Sequence, residues 1–124
     1  MKSAVLAALK VEGIRDAMIS VAFVGATAIA RMNQKYLRHR GPTDVISFGF
    51  AGGGNRSAVI GDIYICPEVA RANARSQGVT ATDELLRLVV HGTLHVLGYD
   101  HPDNADRMKS PMWRRQERIL ARVV

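Results

Sequence analysis

Three of the four histidines in this chain lie within the stretch HGTLHVLGYDH, from His91 to His101. His91 and His95 are four residues apart, so on a helix they share one face, with Cβ atoms about 5–6 Å from each other. Gly98 permits a left-handed turn, which ends such a helix and lets His101 return to the same face. The spacing therefore predicts a helix that ends in a tight turn, with three imidazoles directed at one point.

Three converging imidazoles are typical of a metal centre. Imidazole nitrogens bind zinc at about 2.0–2.1 Å, and three protein ligands leave one tetrahedral position for water or substrate, as in catalytic rather than structural zinc sites. Nickel, copper or iron can occupy the same ligands, so zinc is the favoured metal among several. We predict one zinc ion per chain, bound by His91, His95 and His101.

The residue after the first histidine narrows the chemistry of this site. The spacing equals that of the metzincin proteases, HExxHxxGxxH, in which the glutamate is the general base. This chain has Gly92 there, which argues against peptide hydrolysis and leaves the general base unassigned. Asp100 is the nearest acid in sequence, and we predict that it orients a ligand histidine, the alternative being a residue of the solvated turn.

Periodicity and turn residues divide the chain into five helices and three strands, in the order helix, strand, helix, two strands, three helices. This order predicts a single α+β domain over residues 1–124, with a small mixed sheet packed against about five helices and a zincin-like metal-binding helix. The predicted helices are 3–9, 27–37, 67–77, one that follows a capping box at 80–83 and ends at Gly98, and 104–121; the strands are 17–24, 44–50 and 58–66, with 51–57 as a loop or hairpin turn.

Cysteine content and hydropathy argue against a disulfide-stabilised protein and against a membrane-spanning one. Cys66 is the only cysteine, so no internal disulfide is expected and a cytoplasmic location is favoured. No apolar run reaches the roughly 18 residues that a membrane span needs. Lys10 and Glu12 interrupt the apolar N-terminal stretch, which we interpret as the first helix rather than a secretory signal.

Positive charge is concentrated in two blocks. The formal net charge is +6; residues 31–40 hold four basic residues and no acid, and residues 107–122 hold six against Glu117 alone. Two such blocks favour a polyanionic partner, nucleic acid first. Solvated basic helix faces are an equally good explanation of the charge taken alone.

With these motifs the chain resembles the YbeY family of single-strand-specific metallo-endoribonucleases. The signature HGxLHxxGxDH is met in full from His91 to His101, and PTDVISF (42–48) and IGDIYICPEVA (60–70) are similar to two further stretches of the family. The resemblance implies zinc on the three histidines, a role in 16S ribosomal RNA 3′-end maturation and ribosome quality control, and the ribosome as partner.

The chain departs from the family pattern beside Tyr36. The family usually has an arginine directly after this tyrosine, which the resemblance implies would contact RNA phosphate, and this chain has Leu37 there. Arg38 and Arg40 follow at once and are our candidates for the phosphate contact. The alternative for both is a solvated position at a helix end.

Three functions are compatible with the sequence. We favour a zinc-dependent endoribonuclease of single-stranded RNA, in which either water or the RNA 2′-hydroxyl is the nucleophile; the second route asks less of a protein base and agrees with Gly92. The others are a zinc hydrolase of another substrate and a non-catalytic RNA- or ribosome-binding module stabilised by zinc.

Overall fold

The structure is a computed structural model, and it describes residues 1–51, 58–101 and 105–123. The described part confirms the predicted α+β class, with five helices and a small mixed sheet in the predicted order. The helices are α1 (Lys2–Val11), α2 (Ala26–Met32), α3 (Pro67–Gln77), α4 (Ala81–Val96) and α5 (Pro111–Ala121); the strands are β1 (Asp16–Phe23), β2 (Val45–Ala51) and β3 (Ala58–Ile65).

Two short helical turns are also present among the described residues. A π-helical turn, Asn33–Leu37, continues α2 to its predicted end, and a 3-10 turn, Ala105–Lys109, precedes α5. The predicted loop at 51–57 lies, apart from Ala51, outside the described residues. Within the described ranges, no helix is long and apolar enough to cross a bilayer.

In the described ranges the sheet has three strands, in the order β1-β3-β2. The central strand, β3, pairs parallel with β1 and antiparallel with β2. Ile63 and Ile65 of β3 are fully buried, as expected for a strand with neighbours on both edges and helices on its face. Helix α4 packs across β2 and β3 and also contacts α1, α3 and α5, so it lies at the centre of the molecule.

Glycines allow α4 to lie close to the sheet. Gly49 and Gly61 are paired across β2 and β3, and a Cβ on Gly61 would overlap the Val96 side chain, while one on Gly49 would lie 3.0 Å from the Val96 carbonyl oxygen. On the helix itself, a Cβ on Gly92 would lie 2.8 Å from Cγ2 of Ile63. Larger residues at these positions would separate α4 from the sheet.

The predicted helix from 104 to 121 is wrong as one continuous element. Ser110 has an extended backbone between the 3-10 turn and α5, and its hydroxyl accepts a hydrogen bond from the Trp113 N–H at 3.2 Å, which caps α5. Pro111 has no N–H and fits only the first turn of a helix. The dipeptide Ser110-Pro111 therefore starts α5 inside the segment that was predicted as one helix. Position 104, the predicted start, lies outside the described residues.

Candidate metal centre

The end of α4 determines where the three histidines lie. Thr80 caps the helix by accepting a hydrogen bond from the Asp83 N–H at 3.1 Å, as the capping box predicts. Gly98 follows the helix with φ +102°, which confirms the predicted left-handed turn. The N–H groups of Gly98 and Tyr99 donate to the carbonyls of His95 and Leu94, each at 3.0 Å, the two bonds of a Schellman motif.

The three imidazoles meet beyond this turn. Nε2 of His101 lies 3.2 Å from Nε2 of His91 and 3.2 Å from Nε2 of His95. Two ligands at about 2.05 Å from a tetrahedral ion are roughly 3.3 Å apart, so these two spacings are those of ligands to one ion. The candidate ligand atoms of all three rings lie within 4.8 Å of one another. The rings are partly buried, and the cluster is able to hold a metal ion.

The outer nitrogens of two rings are held by oxygen acceptors. Nδ1 of His91 lies 2.6 Å from Oε1 of Gln116, and Nδ1 of His95 lies 2.9 Å from the carbonyl oxygen of Tyr99. Only an Nδ1–H can donate to these oxygens, so both rings carry their proton on Nδ1. This tautomer leaves the Nε2 lone pairs directed at the ion site.

A chain of polar contacts fixes the orientation of Gln116. Its Nε2 donates to Oε2 of Glu117 at 3.0 Å, which assigns the amide so that its oxygen faces His91. Glu117 also accepts from Nε of Arg87 at 3.0 Å, and Arg87 pairs with the buried Glu84 at 3.0 Å. Burial raises the pKa of Glu84, against the opposing effect of Arg87. The ion pairs therefore join α4 to α5 beside the histidines.

His91 is held in its neutral form. Burial lowers its pKa to about 4 and the hydrogen bond with Gln116 opposes this effect, while Arg107 and any protonation of His95 or His101 act in the same direction as burial. Only the neutral imidazole binds a metal ion, so no proton has to be displaced from Nε2 of this ring at neutral pH.

The first helix supports the turn that carries the third ligand. Glu12, directly after α1, accepts a hydrogen bond from the Tyr99 hydroxyl and pairs with Arg115 of α5 at 2.7 Å. The Arg115 guanidinium lies 5.4 Å from the centre of the Tyr99 ring. The residue whose carbonyl orients His95 is thus held by two helices distant in sequence.

Asp100 contacts the backbone. Its Oδ1 accepts a hydrogen bond from the main-chain N–H of His101 at 2.8 Å, so it stabilises the turn in front of the third histidine. The contacts described for the His91 and His95 rings come instead from Gln116 and from the Tyr99 carbonyl.

The histidines open into a cavity of about 350 Å³, here called the metal cavity. Neither Arg38 nor Arg40 is among the described residues that line it; both side chains are exposed, and Arg38 has a left-handed backbone after the π-helical turn. Leu37 and Arg107 do line it. The lining residues are Leu37, Thr43, Asp44, Val45, Ile46, Ser47, His91, His95, His101 and Arg107.

Three residues of this centre were not identified from the sequence. Gln116 is buried on α5 among apolar residues, and a polar residue at a core position of an amphipathic helix signals a hydrogen-bond partner. Arg107 was visible only as one member of a basic block. Asp44, the only carboxylate among the described residues that line the metal cavity, lies in PTDVISF and gave no signal of its own.

Comparison with known proteins places these observations in a family. The family model described as Endoribonuclease YbeY matches residues 1–124. Endoribonuclease YbeY of Kineococcus radiotolerans is 39% identical over 116 residues, which cover 86% of this chain and 67% of that protein. Endoribonuclease YbeY of Chlorobaculum parvum is 38% identical over 112 residues, covering 90% of this chain and 76% of that protein.

A solved structure has the same fold. The solution structure of TM1509 from Thermotoga maritima superposes with a TM-score of 0.64 at 30% sequence identity. The superposition covers 98% of this chain and 77% of the other. The arrangement of helices around the sheet is therefore shared with an experimentally determined structure.

Proposed function

Because this chain belongs to the family of the endoribonuclease YbeY, we propose that it is an endoribonuclease that holds one zinc ion on His91, His95 and His101. The observation that carries the proposal is the spacing of 3.2 Å between Nε2 of His101 and the Nε2 atoms of the other two rings. Three nitrogen ligands suit zinc and leave one tetrahedral position for a reactant.

The residues of the metal cavity supply the rest of a phosphodiester site. A zinc ion held by the three histidines would supply a Lewis acid for a phosphate oxygen and would lower the pKa of water toward about 7. The Arg107 guanidinium, which lines the cavity, pairs with phosphate oxygens and offsets the charge that develops on them. Arg38 and Arg40 stay predicted phosphate contacts on the exposed surface beside Leu37.

Asp44 is positioned to orient an attacking hydroxyl or water. Asn73 donates to its Oδ2 at 3.2 Å, and Thr43 donates to its Oδ1 at 3.4 Å. These two donors restrain the carboxylate in the cavity wall. Gly92, by contrast, packs against Ile63, so the position that holds the general base of metzincins is part of the helix–sheet contact here.

The proposed substrate is single-stranded RNA, and ribosomal RNA in particular. The net charge of +6 favours a polyanion, and relatives in two organisms carry the name endoribonuclease. The resemblance to the family extends the proposal to 16S ribosomal RNA 3′-end maturation, to the ribosome as partner and to the cytoplasm as location.

Labelled single-stranded RNA tests the proposal. The purified protein should carry one equivalent of zinc and cleave the RNA, and a chelator should abolish cleavage. His95→Ala should lose both metal and cleavage, whereas His39→Ala, a change in the exposed fourth histidine, should keep the metal. Metal-replete protein that binds RNA without cutting it would favour the non-catalytic binding module and contradict the proposed activity.

A further inference from the structure

A second cavity, of about 160 Å³, adjoins the metal cavity and is called the side cavity here. Four residues line both cavities: Asp44, Val45, His91 and Arg107. The side cavity therefore begins at the wall of the metal cavity. A polymer with one unit at the histidines can therefore place a neighbouring unit in the side cavity.

The side cavity presents hydrogen-bonding groups that the protein leaves unused. In the part of the chain that the structure describes, neither the Gln77 amide, on an exposed residue, nor the Trp113 indole N–H has a protein hydrogen-bond partner. The Asn73 amide donates to Asp44, which leaves its oxygen as a further acceptor. Side chains of all three residues line the cavity. A ligand with donors and acceptors on its edge matches these walls.

The charges of the side cavity favour a neutral ligand. Among the described residues that line it, Asp44 and Glu84 are acidic, and Arg87 and Arg107 are basic, so their formal charges cancel. Arg87 is also occupied by its contacts with Glu84 and Glu117. Without a net positive charge the cavity does not favour a second phosphate, whereas an uncharged polar group needs no such charge.

Trp113 lines the side cavity and lies beside Arg107, a residue that lines both cavities. The Arg107 guanidinium is 5.8 Å from the centre of the Trp113 ring. Aromatic rings and arginine planes are the surfaces on which unstacked RNA bases rest, and amide side chains read their edges. The volume of about 160 Å³ equals that of about five water molecules at roughly 30 Å³ each, which suits one small heterocycle rather than a longer ligand.

We propose that the side cavity is a subsite for one nucleobase, that of the nucleotide next to the phosphate in the metal cavity. The proposal rests on the proposed ribonuclease function for the substrate, and it adds that the enzyme recognises a base beside the cleavage point. Gln77 and Asn73 read the edge of the base, and Trp113 with Arg107 contacts the ring.

Abasic substitution tests this subsite. A set of single-stranded RNAs carries one abasic nucleotide at successive positions around a single cleavage point, with every phosphate retained. Binding by fluorescence anisotropy and kcat/KM for cleavage are measured for each RNA. At one position only, loss of the base should weaken binding and lower kcat/KM by about tenfold, in the range found for bases stacked on aromatic side chains.

Protein variants assign that loss to the side cavity. Gln77 is an exposed position on α3. In Gln77→Ala, the loss of binding and of kcat/KM that the abasic nucleotide causes at the sensitive position should be several-fold smaller. Asn73→Ala should do the same through a different wall residue. Gln34→Ala, an exposed glutamine that lines neither cavity, is the matched control and should keep the full penalty. One zinc equivalent per chain confirms that each variant retains its metal site.

The outcomes separate this proposal from the proposed function. Equal binding of intact and abasic RNAs at every position would overturn the subsite, as would a penalty that stays unchanged in both Gln77→Ala and Asn73→Ala. A position-specific penalty in binding with no cleavage of any RNA would overturn the ribonuclease activity and support the subsite.

Discussion

His91 is partly buried, carries its proton on Nδ1 and is one of the three candidate metal ligands. Its pKa is lowered to about 4, first by burial, whereas an unfolded histidine titrates near 6.5. Between these values the unfolded chain binds the additional proton, so the metal-free protein should lose stability as pH falls from about 6.5 to about 4. The expected loss is on the order of 3 kcal/mol in the free energy of unfolding. Urea unfolding of chelator-treated protein at pH 7 and pH 4.5 measures it.

Two histidine variants act as controls for this pH dependence. His91→Gln removes the titrating group, so the decrease between pH 7 and pH 4.5 should be much smaller. His39→Gln removes an exposed histidine and should keep the decrease of the parent protein. If the His91→Gln variant shows the parent decrease, the pKa of His91 is not the cause.

At the same scale, the sequence predicted the histidines and missed the residues that orient them. The spacing of His91 and His95 is a local property of one helix, and Gly98 is a local turn signal. Gln116 contacts a histidine that is 25 residues away in sequence, through the packing of α5 on α4. Such a contact depends on tertiary structure, so no local pattern specifies it.

At the scale of the elements, the approach of α4 to the sheet depends on Gly92. A Cβ at this position would lie 2.8 Å from Cγ2 of Ile63, an atom close to the β3 backbone that cannot easily move away. We expect Gly92→Ala to destabilise the protein by up to about 2 kcal/mol, because an overpacking penalty of roughly 1–3 kcal/mol is offset by a gain in helix propensity of only about 1 kcal/mol. Chemical denaturation measures the difference.

A double-mutant cycle tests the cause of this destabilisation. Ile63→Ala removes the atom that the new Cβ would meet, so Gly92→Ala should be less destabilising in that background than in the parent protein. Equal effects in both backgrounds would contradict a steric origin. The same contact shows that position 92 cannot accept a glutamate without displacing α4.

Local signals predicted the existence and order of the helices and strands, but not every end of them. Helix α3 begins at Pro67 and ends before Gly78, as predicted, because proline has a fixed helical φ and glycine readily adopts the left-handed conformation that ends a helix. The predicted final helix begins too early, because Ser110 and Pro111 start α5 within it. The strand order β1-β3-β2 depends on how the helices cover the sheet, which the periodicity of single segments does not contain.

Across the whole molecule, the net charge of +6 should make RNA binding depend on salt. Each phosphate contact contributes about −0.7 to the slope of log K against log salt concentration for single strands. We expect Arg38→Gln and Arg40→Gln each to reduce the magnitude of this slope by about 0.7, and Arg107→Gln to do the same. Anisotropy titrations with short single-stranded RNA at several salt concentrations measure these slopes.

An arginine outside both basic blocks is the control for the salt dependence. Arg75 is exposed on α3 and lines neither cavity, so Arg75→Gln should leave the slope as it is. If Arg38→Gln and Arg40→Gln both keep the slope of the parent protein, these side chains face water and do not contact RNA phosphate.

The contact of Glu12 with the Tyr99 hydroxyl ties the beginning of the chain to the ligand turn. Local opening of α1 would release Tyr99, and with it the carbonyl that keeps the His95 ring in place. The residence time of a metal ion held by the three histidines would therefore report whether the first helix is docked. A partner that displaces this helix would accelerate exchange of that ion with an external indicator without contacting any of the histidines.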